Sequence, residues 1–116
     1  MSNANRNKGN GYERTLAIRY RELGFPDCVT SRSQNRRLDD AKIDICFTNP
    51  VAIQAKYTKT APNMHDLLGE MEGACSRLPE VKGCYPVVYH KRANKGETVT
   101  LLASDFEEML TMHRNH

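Results

Sequence analysis

Hydrophobic and polar residues alternate in two neighbouring stretches of the chain, residues 41–48 (AKIDICFT) and residues 51–58 (VAIQAKYT). Because successive side chains of a β-strand point to opposite sides, this alternation predicts two strands, each with one apolar face. Asn49-Pro50 between them is typical of a turn, so the strands are expected to form an antiparallel hairpin. The predicted apolar faces consist of Ile43, Ile45 and Phe47 in the first strand and Val51, Ile53, Ala55 and Tyr57 in the second.

Apolar residues recur at helical spacing in other parts of the chain. Residues 11–23 have this spacing and are followed by Gly24, which ends the predicted helix. A second helix is expected to start at Asn63, as its N-cap, and to reach Leu78. Residues 104–107 (SDFE) match the capping-box pattern and predict a closing helix.

Short runs of β-favouring residues predict three further strands, at residues 28–32, 84–90 and 99–103. Pro86 lies in the second of these, and since proline cannot donate to a sheet ladder, it indicates an edge or irregular position. The polar stretch of residues 33–40 follows neither period and is predicted to be a loop. The expected order is α-β-β-β-α-β-β-α, an α/β fold with a mixed sheet and helices packed on both faces.

The overall composition fits one ordinary globular domain. The chain has 116 residues, of which 27% are charged and 39% hydrophobic. Residues 1–8 are polar and expected to be flexible, which leaves residues 9–116 as a single domain. No apolar run approaches the roughly 20 residues that span a bilayer, and the first residues lack the apolar centre of a secretory signal. A cytoplasmic location without a membrane partner is therefore expected.

The four cysteines are spread along the chain and form no CxxC pair: Cys28, Cys46, Cys75 and Cys84. A tetrahedral zinc site built from them and from His65 or His90 would lack the usual ligand spacing. Cys46 and Cys84 lie in apolar strand patterns, where small buried thiols are common. Reduced, structural cysteines are the favoured interpretation.

The charges are unevenly distributed, although the net charge is only +3. Basic residues outnumber acidic ones nine to five up to Lys42, and a second basic group follows at residues 90–95. Acidic residues concentrate at residues 66–72 and 105–108. Such segregation suits a polyanion bound on one side of the molecule. Two solvated helix faces and a basic loop would produce it equally well.

The predicted hairpin brings Asp44, Gln54 and Lys56 onto one polar face. The simplest interpretation is an Asp44–Lys56 ion pair on a solvated surface, which would contribute little. The other is a metal-dependent phosphodiesterase site. Mg²⁺ binds hard oxygen ligands, and a neighbouring lysine could orient or deprotonate the attacking water and offset charge that grows on the phosphate.

Two motifs carry a resemblance to known nucleases. Asp44 followed by Gln54-Ala55-Lys56 resembles the PD-(D/E)XK motif, with Gln in place of the second acid, as in restriction enzymes of the Mrr type. Residues 8–14 (KGNGYER) are similar to the KGxxxER opening of archaeal-type Holliday-junction resolvases. The resemblance implies a restriction-endonuclease-like core over nearly the whole chain. It also implies a homodimer that cuts four-way DNA junctions with Mg²⁺, for which Mn²⁺ would substitute.

The resemblance further implies roles for individual residues. The catalytic set would be Glu13, Asp44, Gln54 and Lys56. The metal ligands would be Glu13, Asp44, Gln54 and the backbone carbonyl of Ala55. Contacts to the DNA backbone are expected from Lys8, Arg14, Ser31, Arg32, Ser33, Arg36, Arg37 and Lys59.

The chain also departs from the family pattern. The Gly-Ser loop of these resolvases is replaced by SRSQNRRLDD at residues 31–40, and Gln54 brings no charge, so a metal ion should bind more weakly than at a site with two acids. A related nuclease acting on other branched or duplex DNA is one alternative. A non-catalytic DNA-binding module of the same fold is another.

Overall fold

The structure, a computed structural model, describes residues 2–115, with side chains from residue 6 onward. The helices are α1 (Ser2–Leu23), α2 (Ser31–Gln34), α3 (Arg36–Asp40), α4 (Met64–Arg77) and α5 (Ala103–Arg114), with a 3₁₀ turn at Pro79–Val81. The strands are β1 (Val29–Thr30), β2 (Ile45–Cys46), β3 (Val51–Tyr57), β4 (Tyr85–Arg92) and β5 (Gly96–Thr100). No helix of this described part is long and apolar enough to cross a membrane.

The five strands form one mixed sheet in the order β1-β2-β3-β4-β5. Neighbouring strands are antiparallel except for β3 and β4, which run parallel from the Val51–Tyr85 pair to the Tyr57–Lys91 pair. Parallel strands need a long crossover connection, and α4 supplies it. The protein is therefore an α/β fold with a five-stranded mixed sheet flanked by helices, and the predicted β2–β3 hairpin is confirmed.

Two separate clusters of buried side chains cover the two faces of the sheet. Helix α1 packs Tyr12 and Leu16 against Ile53 on one face. Helix α4 packs Met71 against Val88 on the other. We call these two groups of buried side chains the α1 cluster and the α4 cluster. Because β3 contributes to both clusters, its alternating side chains hold the two layers together, as its sequence pattern predicted.

The predicted helices are present with different bounds. Helix α1 extends to Ser2, so residues 2–8, which were expected to be flexible, form its first turns here. Asn63 caps α4 as predicted, since its side chain accepts a hydrogen bond from the backbone N–H of Asp66 at 3.1 Å. Helix α5 begins at Ala103 with Leu102 as its N-cap residue, so the capping-box prediction was wrong. Leu102 packs against the α4 cluster, and α5 starts directly after it, one residue before the predicted cap at Ser104.

The strand predicted at residues 41–48 was too long. Lys42 and Phe47 have left-handed backbone angles, with φ of 67° and 63°, which an extended strand cannot include. The predicted shared face of this strand was also wrong. Ile43 packs into the α4 cluster, Ile45 packs into the α1 cluster, and Phe47 is 64% exposed.

Two other predictions needed correction. The polar stretch predicted as a loop forms α2 and α3, and Asn35 caps α3 by accepting a hydrogen bond from the backbone N–H of Leu38. The last strand is Gly96–Thr100 rather than residues 99–103. Pro86 lies in an internal strand, but β5 pairs only from Val88 onward, so β4 has a single neighbour at the proline. All four cysteines are buried thiols.

Candidate functional site

Strands β2 and β3 separate at Asp44. The backbone N–H of Asp44 still donates to the Ile53 carbonyl at 2.8 Å. Two residues further along β3, the backbone N–H of Ala55 donates instead to the Asp44 carboxylate oxygen Oδ2, also at 2.8 Å. The side chain of Asp44 thus accepts the hydrogen bond that a strand carbonyl would otherwise accept. This holds the carboxylate at the open end of the hairpin.

Gln54 and Lys56 project from the same side of β3, because they are two residues apart in a strand. Gln54 is only 2% exposed. Its amide oxygen Oε1 is buried without a hydrogen-bond partner among the described residues. A buried acceptor in this condition costs about 1–3 kcal/mol. An amide oxygen is also a ligand that Mg²⁺ accepts, so this atom fits one position in the coordination of a hard cation.

Glu13 lies on α1 and belongs to the same electrostatic cluster. Its charge raises the pKa of Asp44, as does the charge of Asp39. Glu13 Oε1 accepts a hydrogen bond from Arg32 Nη1 at 2.8 Å. Burial raises the pKa of Glu13, and the nearby Arg32 guanidinium opposes that effect. The charge of Glu13 therefore acts on Asp44, but Lys56 is not among the charges that shift the pKa of Glu13.

Asp44 is itself strongly perturbed. Burial raises its pKa to about 7, against the lowering effect of the Ala55 N–H and the Lys56 ammonium. The solvated Asp44–Lys56 ion pair, the simplest interpretation of the sequence, does not match this environment. Asp44 is 9% exposed, and the pair is not among the ion pairs of the described residues. Buried carboxyls with shifted pKa values cluster at functional sites, although structural networks also produce them.

The oxygen atoms of Glu13, Asp44, Gln54 and the Ala55 carbonyl are the predicted ligands for a metal ion. Within residues 2–115, no three His, Cys, Asp or Glu side chains group in a way that could hold a metal. Gln54 and backbone carbonyls are not among those residue types, and Glu13 is held by Arg32. Of the predicted side-chain ligands, Asp44 and Gln54 are the two that no described ion pair engages, and their oxygens are of the kind that a hard divalent cation binds. Ala55 lies directly between Gln54 and Lys56, and its backbone carbonyl was predicted to complete the set.

The predicted DNA-contacting residues divide between two surfaces. Lys8 and Lys59 are exposed on α1 and just beyond the end of β3, whereas Arg14, also exposed on α1, lines a cleft with Thr30 and Ser33. Lys8 Nζ lies 4.6 Å from the centre of the Tyr57 ring. The sequence placed Lys91 in a basic group at residues 90–95 but not among the DNA contacts. Its Nζ lies 5.2 Å from the same ring. The parallel pairing of Tyr57 with Lys91 causes this approach, and nothing in the linear sequence indicates it.

The other predicted contacts lie on and around α2 and α3. Arg36 and Arg37 form ion pairs with Asp40 and Glu80. The Ser33 hydroxyl donates to the Thr30 carbonyl at 2.9 Å. Arg32 is engaged with Glu13, as described above, and Ser31 is fully buried with its hydroxyl 3.3 Å from the Cys46 sulfur. In this structure Ser31 does not reach the surface, so a phosphate contact from its side chain has no structural support.

His90, which the sequence placed only in a basic group and in a disfavoured zinc set, is a buried neighbour of the site. It lies opposite Lys56 in the β3–β4 pair and is 4% exposed. Its Nε2 lies 2.9 Å from the Thr58 hydroxyl and 3.2 Å from the Thr58 carbonyl. Because the carbonyl can only accept, Nε2 carries the proton in that contact. His90 therefore fixes the chain immediately after Lys56.

No family model, no curated protein and no solved structure matches this chain. Inference about its function depends on the residues and geometry described above.

Proposed function

We propose that this protein is a metal-dependent, structure-specific DNA endonuclease with a restriction-endonuclease-like core, acting on four-way (Holliday) junctions. The observation that carries the proposal is the arrangement at the open end of the hairpin. There the Ala55 N–H donates to the Asp44 carboxylate. The buried amide oxygen of Gln54, on the same strand as Lys56, has no hydrogen-bond partner among the described residues. The order of the main elements (helix, three strands, helix, strand) also fits the nuclease core that the motifs resemble.

The site residues would divide the chemistry among themselves. Asp44 and Gln54 would hold Mg²⁺ or Mn²⁺, which would supply activation of water and stabilisation of negative charge on the phosphate. Lys56 places an ammonium group beside the reacting phosphate, where it orients the nucleophile and offsets the developing charge. The Thr58–His90 contact limits the movement of the chain that carries Lys56.

Glu13 is the residue whose role depends on Arg32. While Arg32 holds its carboxylate, Glu13 acts on Asp44 through its charge rather than as a metal ligand. Arg32 is also the cation closest to Glu13 that a DNA phosphate could attract. Binding of DNA would then release Glu13 toward the metal, directly or through water.

A junction contains two strands that must be cut, so the proposed active form is a homodimer with two sites. Helix α5 buries none of its side chains and exposes Phe106, Leu110 and Met112 at about half of their surface (50%, 48% and 51%). Phe106 and Leu110, four residues apart on one face of the helix, offer an apolar surface for a second copy. A cytoplasmic location is part of the same proposal.

Cleavage assays test the proposal. Labelled four-way junction, linear duplex and single strand are incubated with the protein in Mg²⁺, in Mn²⁺ and in EDTA. We expect paired nicks in the junction with either metal and none in EDTA. Asp44→Asn should abolish cleavage and Lys56→Ala should slow it by about 10²–10³-fold, whereas Asp40→Asn, which changes an exposed carboxylate on α3, should leave it intact. Unchanged cleavage by Asp44→Asn would refute the assignment of the site.

A second candidate is a DNA-binding module of the same fold that does not cut. The Arg32–Glu13 ion pair favours it, because it occupies a carboxylate that an active site would use for metal. Such a module would bind the junction with the same affinity in EDTA and in Mg²⁺ and would produce no nicks under any metal condition. Equal cutting of linear duplex and junction would instead indicate a related nuclease with another substrate.

A further inference from the structure

An open groove of about 600 Å³ lies next to the candidate site. Residues 55–59, at the end of β3 and just beyond it, form one wall, and Lys8 and Gly9 of α1 form the other. Lys91 lies beside it on the neighbouring strand. We call this feature the lysine groove, and its ammonium groups belong to Lys8, Lys56, Lys59 and Lys91.

Tyrosine rings hold two of these lysines in place. Lys8 Nζ is 4.6 Å and Lys91 Nζ is 5.2 Å from the centre of the Tyr57 ring. Lys91 Nζ is also 5.8 Å from the centre of the Tyr12 ring. Cation–π contacts of this kind stabilise a cation without neutralising its charge. The aromatic rings therefore position positive charge at the groove and leave it available to an anion.

The lysines of the groove form no ion pair within residues 6–115, where all four pairs involve arginine. The carboxylate that faces Lys91 across the β4–β5 pair is Glu97. Arg19 donates two hydrogen bonds to Glu97, at 2.9 and 2.7 Å, so this carboxylate already has a strong partner. In contrast, Arg36 and Arg37 on α3 are paired with Asp40 and Glu80.

We propose that the lysine groove holds the phosphate backbone of the DNA strand beside the cleavage site, and that the Arg36-Arg37 surface does not bind DNA. Phosphates would relieve the mutual repulsion of the four ammonium groups and release counterions. Arg37 would first have to leave Glu80, and Arg36 would give up a long, exposed 3.9 Å contact with Asp40. A strand in the groove would run along residues 55–59 and so reach Lys56, the lining residue that also belongs to the candidate site. This inference takes DNA as the ligand from the proposed function.

Salt-dependent binding separates the two surfaces. Binding of a labelled four-way junction is measured in EDTA over a series of KCl concentrations, so that no cleavage interferes. Lys59→Gln and Lys91→Gln should each weaken binding and reduce the slope of log K against log[KCl] by about 1. Arg36→Gln and Arg37→Gln should leave the slope unchanged. Lys82→Gln provides a matched lysine control, because Lys82 lines a separate cleft with Glu72 and Asp105.

The opposite pattern would overturn the groove assignment: a smaller slope in the arginine variants and an unchanged slope in the lysine variants. Competition with polyglutamate provides a second readout. If polyglutamate displaced the junction as well as unlabelled DNA does, the groove would be a general polyanion site and the proposal would fail. The nuclease proposal is tested independently. A protein that binds through the groove but never cuts would refute the nuclease proposal and leave the groove assignment intact. Junction cleavage with unaltered slopes in the lysine variants would refute the groove alone.

Discussion

The carboxylate of Asp44 and the backbone N–H of Ala55 join β2 to β3, through a 2.8 Å hydrogen bond, at the point where the two strands separate. A side chain fixed in this way has one oxygen engaged by the backbone and one directed elsewhere. It also lies next to Gln54, the residue that precedes Ala55 in β3. The hydrogen bond holds one carboxylate oxygen of Asp44 against β3.

Gln54→Glu is expected to tighten binding of a divalent cation. The substitution adds a negative charge at the position of the unpartnered amide oxygen, and a carboxylate is a better ligand than an amide for Mg²⁺ or Mn²⁺. Calorimetric titration with Mn²⁺ measures the change, which we expect to be about tenfold or more. Gln34→Glu, on the exposed surface of α2, is the control with the same change of charge. Equal effects of the two substitutions would show that the added charge acts only at long range.

Asp44 is expected to make the stability of the metal-free protein depend on pH. Its pKa is 3.8 when unperturbed and about 7 in the folded protein, where burial raises it. Between these two pH values the folded chain retains a proton that the unfolded chain has lost. The free energy of unfolding should therefore fall as pH rises from about 4 to about 7 and then level off.

Urea unfolding in EDTA at pH 5 and pH 8 measures this effect. Asp44→Asn lacks the titrating group, so its stability should fall less, with a difference of a few kcal/mol between the two proteins. The comparison isolates Asp44, because all other titrating groups are shared. Parallel pH profiles for wild type and variant would show that the Asp44 pKa is ordinary.

Mg²⁺ is expected to raise the melting temperature more at pH 8 than at pH 5. A metal ion binds the deprotonated carboxylate, which is the minor form of Asp44 well below its pKa and the major form above it. Thermal unfolding with and without MgCl₂ at each pH provides the measurement. In Asp44→Asn the stabilisation should be small at both pH values. Equal stabilisation of the wild type at both would contradict a ligand role for Asp44.

Lys56→Ala is expected to slow junction cleavage by about 10²–10³-fold, the usual effect of removing one group that stabilises charge in a transition state. Binding of the junction in EDTA should weaken far less. Lys56→Arg keeps the charge and tests whether the compact ammonium is needed, since a guanidinium cannot act as a base. Full activity in Lys56→Ala would remove Lys56 from the chemistry.

The packing of α1 on the sheet should be needed for stability as well as for the site. Leu16 is completely buried against β3, so Leu16→Ala should cost about 2–5 kcal/mol. Ile18, on the same helix, is 51% exposed, and Ile18→Ala should change stability by less than about 1 kcal/mol. Chemical denaturation of both variants checks the assignment. Similar losses of stability in the two variants would contradict the packing of Leu16, rather than Ile18, against the sheet.

The regular elements were predictable because their sequences carry strong local signals. The alternation in VAIQAKYT predicted β3 and the shared side of Gln54 and Lys56, and Asn63 predicted the start of α4. The short elements were not predictable. Nothing in the sequence indicates the left-handed backbone of Lys42 and Phe47, which shortens β2 and lets Asp44 turn its side chain into the ladder.

The candidate site was predictable only as a set of residue types. Its less obvious features depend on tertiary contacts: the burial of Ser31, the Arg32–Glu13 ion pair and the position of Lys91 beside Tyr57. Each joins residues far apart in the chain, and each follows from how the strands pair and how α1 crosses them. Sequence reasoning placed Ser31 at the DNA backbone because of the resemblance to the resolvases, although its own pattern put Ser31 in a strand predicted at residues 28–32.

Anomalous diffraction from crystals grown with Mn²⁺ tests the central claim most directly, because it locates the metal independently of any activity. We expect one strong peak between the Asp44 carboxylate and the Gln54 amide oxygen, and its absence in crystals of Asp44→Asn. No peak at that position in the wild type, or an equally strong one in the variant, would contradict the proposal that these two residues form a metal site.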